Sequence, residues 1–282
     1  VFAALRGLMG GLVALNPVQA LLGLGLAGLV SLAAYRARAL NPSGALAAAA
    51  LGTVVFGLGG LDWAVLLLAF FISSSALSRL AHPAKKAVDA RAAKGSRRDA
   101  GQVLANGGFA GLCVLLHLVF PESALPWAAF AGSLAAANAD TWATELGAFS
   151  PVPPRRITTG QVVERGASGG VTAVGLLAAL AGSALIGLLA ALFWPGGASS
   201  AVIPGVALAG LGGSLVDSLL GAAWQAVYYC PDCGKETERH PRHSCGAPTR
   251  LVRGWAWLDN DVVNAACTLS GALLGLLLGS GL

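Results

Sequence analysis

In the run Asn138-Ala139-Asp140-Thr141-Trp142-Ala143-Thr144-Glu145-Leu146-Gly147, two carboxylates and an amide close an apolar stretch. At helical spacing Asn138, Thr141 and Glu145 fall on one stripe, and Asp140 with Thr144 forms a neighbouring i, i+4 pair. Asp140 and Glu145 stand roughly 140° apart around a regular helix, so one ion joins them only if the helix loosens or the site lies between them. Similar seams recur at Asp99, Gln102 and Asn106, at Ser214, Asp217, Ser218, Gly221 and Gln225, and at Asn260, Asp261 and Asn264. Oxygen ligands of this kind suit Mg²⁺, usually held by one or two carboxylates together with substrate phosphates. Four gathered carboxylates, Asp140, Glu145, Asp217 and Asp261, would repel one another or stay protonated without a cation. For Asn106, Gln225 and Asn264 taken singly, the competing reading is that they hydrogen-bond helices together.

A phosphate site is the natural complement. Arg155 and Arg156 precede the run Gly166-Ala167-Ser168-Gly169-Gly170, and a glycine-rich helix N-terminus there would offer backbone N–H groups and a positive dipole end to an anion. A Ser-capped helix with glycine for packing looks the same. Lys94, Arg97 and Arg98, with Lys85 and Lys86, could clamp a triphosphate or meet lipid head groups. Farther on, Cys230-Pro231-Asp232-Cys233 is followed by His240, His243 and Cys245. Cys230, Cys233, His243 and Cys245 form a donor set at tetrahedral zinc spacing, with His240 the alternative imidazole and a redox dithiol or a metal-free loop the competing readings. Cys113 and Cys267 read as packing residues, and His82 and His117 as structural.

These clusters sit in a chain that is 56% hydrophobic and 11% charged, against about 25% charged for soluble domains. It reads as an all-α, polytopic transmembrane helical bundle, one membrane domain over 1–282 with a Cys/His loop insert at 229–254. Apolar stretches near bilayer length fall near 17–37, 43–60, 62–80, 101–120, 124–148, 169–194, 201–228 and 260–281, for seven or eight spans. Residues 1–16 are apolar, carry no cleavage-site pattern and read as a short extra helix or half-helix. With eight spans, 17 of the 18 Lys and Arg residues fall on one face. That face is expected in the cytosol, and every polar seam ends there. The net charge of +5 then reflects topology and anionic lipid. The basic residues have neither motif nor interleaved aromatics for nucleic acid.

The strings RRDAGQVLAN (97–106), NADTWATELG (138–147), Gly166–Gly175, GGSLVDSLLGAAWQ (212–225) and LDNDVVN (258–264) resemble the integral membrane family called domain of unknown function 92, the transmembrane protein 19 and plant phytyl-phosphate kinase family. The likeness runs from about residue 38 to the C terminus. It implies an Mg²⁺-dependent phosphotransferase of the inner or plasma membrane, moving the γ-phosphoryl group of a nucleoside triphosphate, CTP favoured, to a prenyl monophosphate on the cytosolic side. Asp140, Glu145 and Asp217 would then be catalytic, holding Mg²⁺ with Asp261. Lys94, Arg97, Arg98, Gln102, Asn106, Asn138, Thr141, Arg155, Arg156, Ser168, Gly169, Gly170, Ser214, Ser218, Gln225, Asn260 and Asn264 would meet nucleotide or phosphate. A prenol or polyprenol kinase and a lipid cytidylyltransferase use the same parts. A cation-coupled transporter and a membrane scaffold are the readings of another class, and a homo-oligomer is compatible with all of them.

Overall fold

The computed structural model describes residues 16–81, 97–195 and 197–280. Apart from Asn16, the expected N-terminal half-helix lies outside them, as do His82, Lys85, Lys86 and Lys94. The helices are α1 (Pro17–Arg36), α2 (Pro42–Val54, continued by a π-helical turn, Val55–Gly59), α3 (Leu61–Ala81), α4 (Ala100–Val119), α5 (Leu125–Gly147), α6 (Ala173–Leu192), α7 (Val202–Ala223) and α8 (Asn260–Gly279). Five short strands complete the order: β1 (Arg155–Arg156) and β2 (Gly170–Val171) before α6, and β3 (Val227–Cys230), β4 (Lys235–Thr237) and β5 (Arg250–Arg253) before α8.

Asn-Pro pairs start the first two helices. Asn16 accepts from Val18 N and Gln19 N, Asn41 accepts from Gly44 N, and Pro17 and Pro42 occupy the first helical positions, where a missing N–H costs nothing. Among the described residues, seven helices, α2 counted with its π turn, are long and apolar enough to cross a membrane. The remaining one, α5, has 23 residues, about 35 Å of helix, and is buried continuously from Pro126 to Ala139. It packs against α3, α4, α6, α7 and α8. Because protein encloses it, α5 needs small side chains more than oily ones, so its hydropathy understates its place in the bundle. The leucines of α1 instead point outward, Leu21 being 69% and Leu29 65% exposed, as lipid-facing positions do.

The α1–α2 hairpin forms an outer layer against α4, and the π turn touches α1, α3 and α4. At the end bearing Asp62 and Glu122, Trp63, Trp127 and Phe130 pack into one cluster with centroid separations of 4.7 to 5.9 Å. His117 lies 5.2 Å from Trp63. The described basic residues lie at the opposite end.

Close packing of α5 on α8 holds the cavity described below in register. A Cβ at Gly271 would overlap the carbonyl oxygen of Gly132, and one at Gly275 would overlap that of Ala128. Small residues let membrane helices approach to backbone contact. Gly271→Val should therefore split this interface and lower the midpoint of thermal unfolding in detergent by several degrees, an overpacking effect of about 1–3 kcal/mol. An unchanged midpoint would show that α5 and α8 are not held by this contact.

Two boundaries differ from the expected spans. Helix α6 begins at Ala173, not at 169, because Thr172 caps it by accepting from Gly175 N while Gly170 pairs with Arg156 in a two-stranded ribbon. Helix α7 ends at Ala223, not 228. Arg253 donates to the carbonyls of Gly221 and Ala222, satisfying the last turn as a cation at a helix C-terminus does, and β3 follows at once.

Candidate functional site

Helices α3, α5 and α7 end, and α4, α6 and α8 begin, around a cavity of about 420 Å³ at the basic end. Asp140, Thr141 and Glu145 line it from α5; Gln102 and Asn106 from α4; Ser214, Asp217 and Ser218 from α7; Asn260, Asp261 and Asn264 from α8. Arg98, Gln225 and the loop Gly166–Gly170 complete the wall among the expected residues. The four separate seams therefore meet in one space.

Not every expected contact is there. Asn138 is fully buried, its amide donating to Gly182 O at 2.8 Å and its oxygen accepting from Ser73 at 3.0 Å and Ser74 at 3.3 Å. It ties α3, α5 and α6 together and does not face the cavity. Arg97 is exposed outside the lining, and Arg155 spends its guanidinium on Gly160 O. Arg156 stands behind the lining on β1. Asp99 is a cap: it accepts from Gln102 N, and the Gln102 side chain accepts from Asp99 N. Gln225 lies beyond the end of α7, so its match to the helical seam was accidental, yet its side chain still reaches the cavity.

Asp140, Glu145, Asp217 and Asp261 all line this one cavity. Glu145 is buried and accepts from Ser78 at 2.8 Å. It is the charge that bears on Arg98, whose guanidinium burial pushes below its ordinary pKa while Glu145 pushes it back up. Asp140 and Glu238 are the charges that bear on Asp217. The cavity thus offers a cation, Arg98, that can meet a phosphate, and carboxylates, Asp140 and Asp217 among them, that can hold a divalent cation.

The glycine-rich run is a loop leading into β2, not the first turn of a helix. Gly169 has φ +77°, and a Cβ there would overlap the backbone of Ala222 at the end of α7. Only glycine allows this approach, which brings the loop beside the Asp217 seam.

Three lining residues escaped the sequence reading. Ser78 lies one position before a basic residue at a helix end and has no chemical signature. Arg165 donates to the carbonyls of Ala148 at 3.1 Å and Ser150 at 2.6 Å, pinning the chain that leaves α5. Glu238 accepts from Ser168 at 3.0 Å and Gln225 at 2.8 Å. It belongs to the Cys/His segment, where β4, β3 and β5 form a three-stranded antiparallel sheet.

That segment carries the compact donor cluster. The ligand atoms of Cys230, Cys233, His243 and Cys245 all lie within 4.8 Å of one another. Cys230 and Cys245 sulfurs are 3.6 Å apart, and His243 Nδ1 lies 3.4 Å from Cys233 Sγ and 3.3 Å from Cys245 Sγ. A tetrahedral centre with metal–sulfur and metal–nitrogen bonds of about 2.3 and 2.05 Å requires about 3.8 Å between sulfurs and 3.6 Å between sulfur and nitrogen. The Ala247 N–H, with His243 and Cys233 adding to it, brings the Cys245 thiol down to about 6, whereas its hydrogen bond with Cys245 takes Cys233 up to about 11. His240 is stacked on Tyr228, with ring centroids 4.5 Å apart, and stands outside the cluster.

The profile of the integral membrane protein family DUF92 matches residues 25–272, from within α1 to within α8. The chain belongs to the DUF92 integral membrane family. Its relatives include Protein PGR of Arabidopsis thaliana, 35% identical over 268 residues that cover 87% of this chain and 91% of that protein. An uncharacterized membrane protein of Methanocaldococcus jannaschii is 31% identical over 86% of this chain and 87% of its own length. One of Synechocystis sp. is 28% identical, covering 84% and 81%. No solved structure matches. The DUF92 match includes all residues of the cavity named above and the whole Cys/His segment.

Proposed function

We propose that this DUF92 protein is an Mg²⁺-dependent phosphotransferase that moves the γ-phosphoryl group of CTP or another nucleoside triphosphate to an isoprenoid monophosphate, with its site facing the cytosol. The observation that carries the proposal is the joining of Asp140 and Asp217 in one cavity with Arg98 and the Gly166–Gly170 loop. Phosphoryl transfer demands mainly the alignment of two anions and neutralisation of the charge between them. The resemblance to phytyl-phosphate kinase supports the acceptor class, and the basic end of the bundle supports the cytosolic orientation.

Asp140 and Asp217 would hold Mg²⁺ together with substrate phosphates, the usual share of protein ligands for this ion. Mg²⁺ would neutralise charge between donor and acceptor phosphates. Arg98 and the Gly-rich loop would hold phosphate oxygens. The acceptor phosphate oxygen bonds to the γ-phosphorus as its bond to the β,γ-bridging oxygen breaks, and the electron pair leaves with the nucleoside diphosphate. A phosphate acceptor needs no general base. An alcohol acceptor would, with Asp140 the residue placed to take the proton.

The donor set Cys230, Cys233, His243 and Cys245 suits zinc in a closed, structural role. Thiolate–metal chemistry accords with the reducing cytosol.

Purified protein supplied in parallel with α-labelled and γ-labelled CTP, and with geranylgeranyl monophosphate or geranylgeraniol, separates the readings. Label from the γ position in a prenyl diphosphate is expected. Retention of α label in the lipid with release of pyrophosphate would identify a cytidylyltransferase, and label on the alcohol alone a prenol kinase. No turnover of any acceptor would remove the enzyme reading.

A further inference from the structure

A second cavity, an apolar slot of about 70 Å³, separates the α1–α2 hairpin from α3 and α4. Ala27 and Ala34 of α1 mark its two ends along that helix, a depth of roughly 10 Å at 1.5 Å per residue. Ala48 and Leu51 of α2 and Phe71 of α3 wall it. Its polar end is formed by Arg98, Gln102 and Asn106, and these three residues also line the large polar cavity. The Arg98 guanidinium sits over Phe70 and Phe71 at 5.8 and 6.0 Å from their ring centroids, a cation–π arrangement between the two spaces. Its backbone is fixed to the α1–α2 turn, Arg98 N donating to Ala39 O and Arg98 O accepting from Asn41 N, both at 3.0 Å.

We infer that this slot takes the head-proximal part of the apolar tail of the lipid whose phosphate lies in the polar cavity, with Arg98 at the junction of head and tail. The occupant follows from continuity. A slot closed at one end by a cation and two amides, and otherwise walled by hydrocarbon, matches an amphiphile with one anionic end and a narrow tail. Asp140 and Asp217 line the polar cavity but not the slot, so the donor nucleotide would occupy the polar cavity alone. The proposal rests on the phosphate-acceptor reading for its head group, but tail binding needs no turnover.

Geranylgeranyl monophosphate bearing a diazirine on its second isoprene unit, within the depth of the slot, irradiated with the protein in nanodiscs without nucleotide, tests the slot directly. Adducts are expected on the peptides around Ala27–Ala34, Ala48–Phe56 and Leu67–Phe71, and unmodified geranylgeranyl monophosphate should remove them more effectively than geranylgeraniol, which has no anion for Arg98. Ala48→Leu adds three carbons to the wall and should reduce them at least about tenfold, since a one-methylene mismatch in an apolar pocket already has that effect. Ser31→Leu, filling the slot from the other wall, should act alike and guards against misfolding of either variant. Adducts spread over the lipid-facing leucines, or unaffected by competitor and by both variants, would overturn the assignment. Because binding is read without turnover, a protein that labels in the slot yet transfers no phosphate refutes the kinase reading alone, and an active kinase labelled elsewhere refutes the slot alone.

Discussion

Asp217→Asn and Asp140→Asn should each lower phosphoryl transfer by roughly 100-fold or more, the usual cost of removing a preorganised electrostatic partner of the transition state. Both residues line the polar cavity, and Asp140 is one of the two charges that bear on Asp217. Asparagine keeps the size and one oxygen but removes the charge that holds a cation. Relieving two facing carboxylates of their repulsion cannot itself unfold the bundle, so the thermal midpoint should hold or rise. The apparent Mg²⁺ requirement should also shift to higher concentration. Glu145→Gln should act differently: Glu145 accepts from Ser78 and its charge bears on Arg98, so loss of phosphate affinity should dominate over loss of Mg²⁺ affinity. If both Asp variants retain activity at ordinary Mg²⁺, the cation site is elsewhere.

Removing the Cys/His centre should have the second large effect. Protein carrying Cys230→Ser and Cys233→Ser should contain about one zinc fewer per chain, since structural zinc contributes roughly 10–16 kcal/mol to ordering small modules. The β3–β5 segment should then become sensitive to protease. Its loss should also reach the cavity, because the segment supplies Glu238, clasped by Ser168 and Gln225, and Arg253, which closes the end of α7. Glu238→Gln separates the two consequences. It should keep the zinc and the protease resistance while altering activity. Metal content unchanged by the double substitution would dismiss the metal centre.

Most of the architecture was legible because the membrane imposes it. Runs of apolar residues near bilayer length, bounded by Asn-Pro pairs and Arg clusters, mark the helices, and polar seams at the same ends of several of them point to one shared space. Helical periodicity identifies the stripe a residue occupies but not what covers it. Asn138 shares a stripe with Glu145 and is nevertheless spent on Ser73, Ser74 and Gly182. Periodicity also cannot tell where a helix stops, so Gln225 was placed on α7 and the glycine run at the start of α6. Thr172, just past the glycine run, caps one end, and Arg253, far along the chain, sets the other. Glu238 was invisible because a glutamate between lysine and arginine on a polar loop looks like ordinary solvated charge. That Glu145 bears on Arg98 and Asp140 on Asp217 depends on which helices are neighbours, which no local pattern carries. The Cys/His spacing, by contrast, is local chemistry, and only the choice of His243 over His240 required the fold.

The most direct measurement is transfer from γ-labelled CTP to geranylgeranyl monophosphate by purified protein in nanodiscs, run with Mg²⁺ and with chelator. Label should appear in geranylgeranyl diphosphate in the Mg²⁺ reaction, vanish with chelator and return when Mg²⁺ is restored. Equal labelling in both conditions, or none with CTP or ATP despite bound prenyl phosphate, would contradict an Mg²⁺-dependent prenyl phosphate kinase.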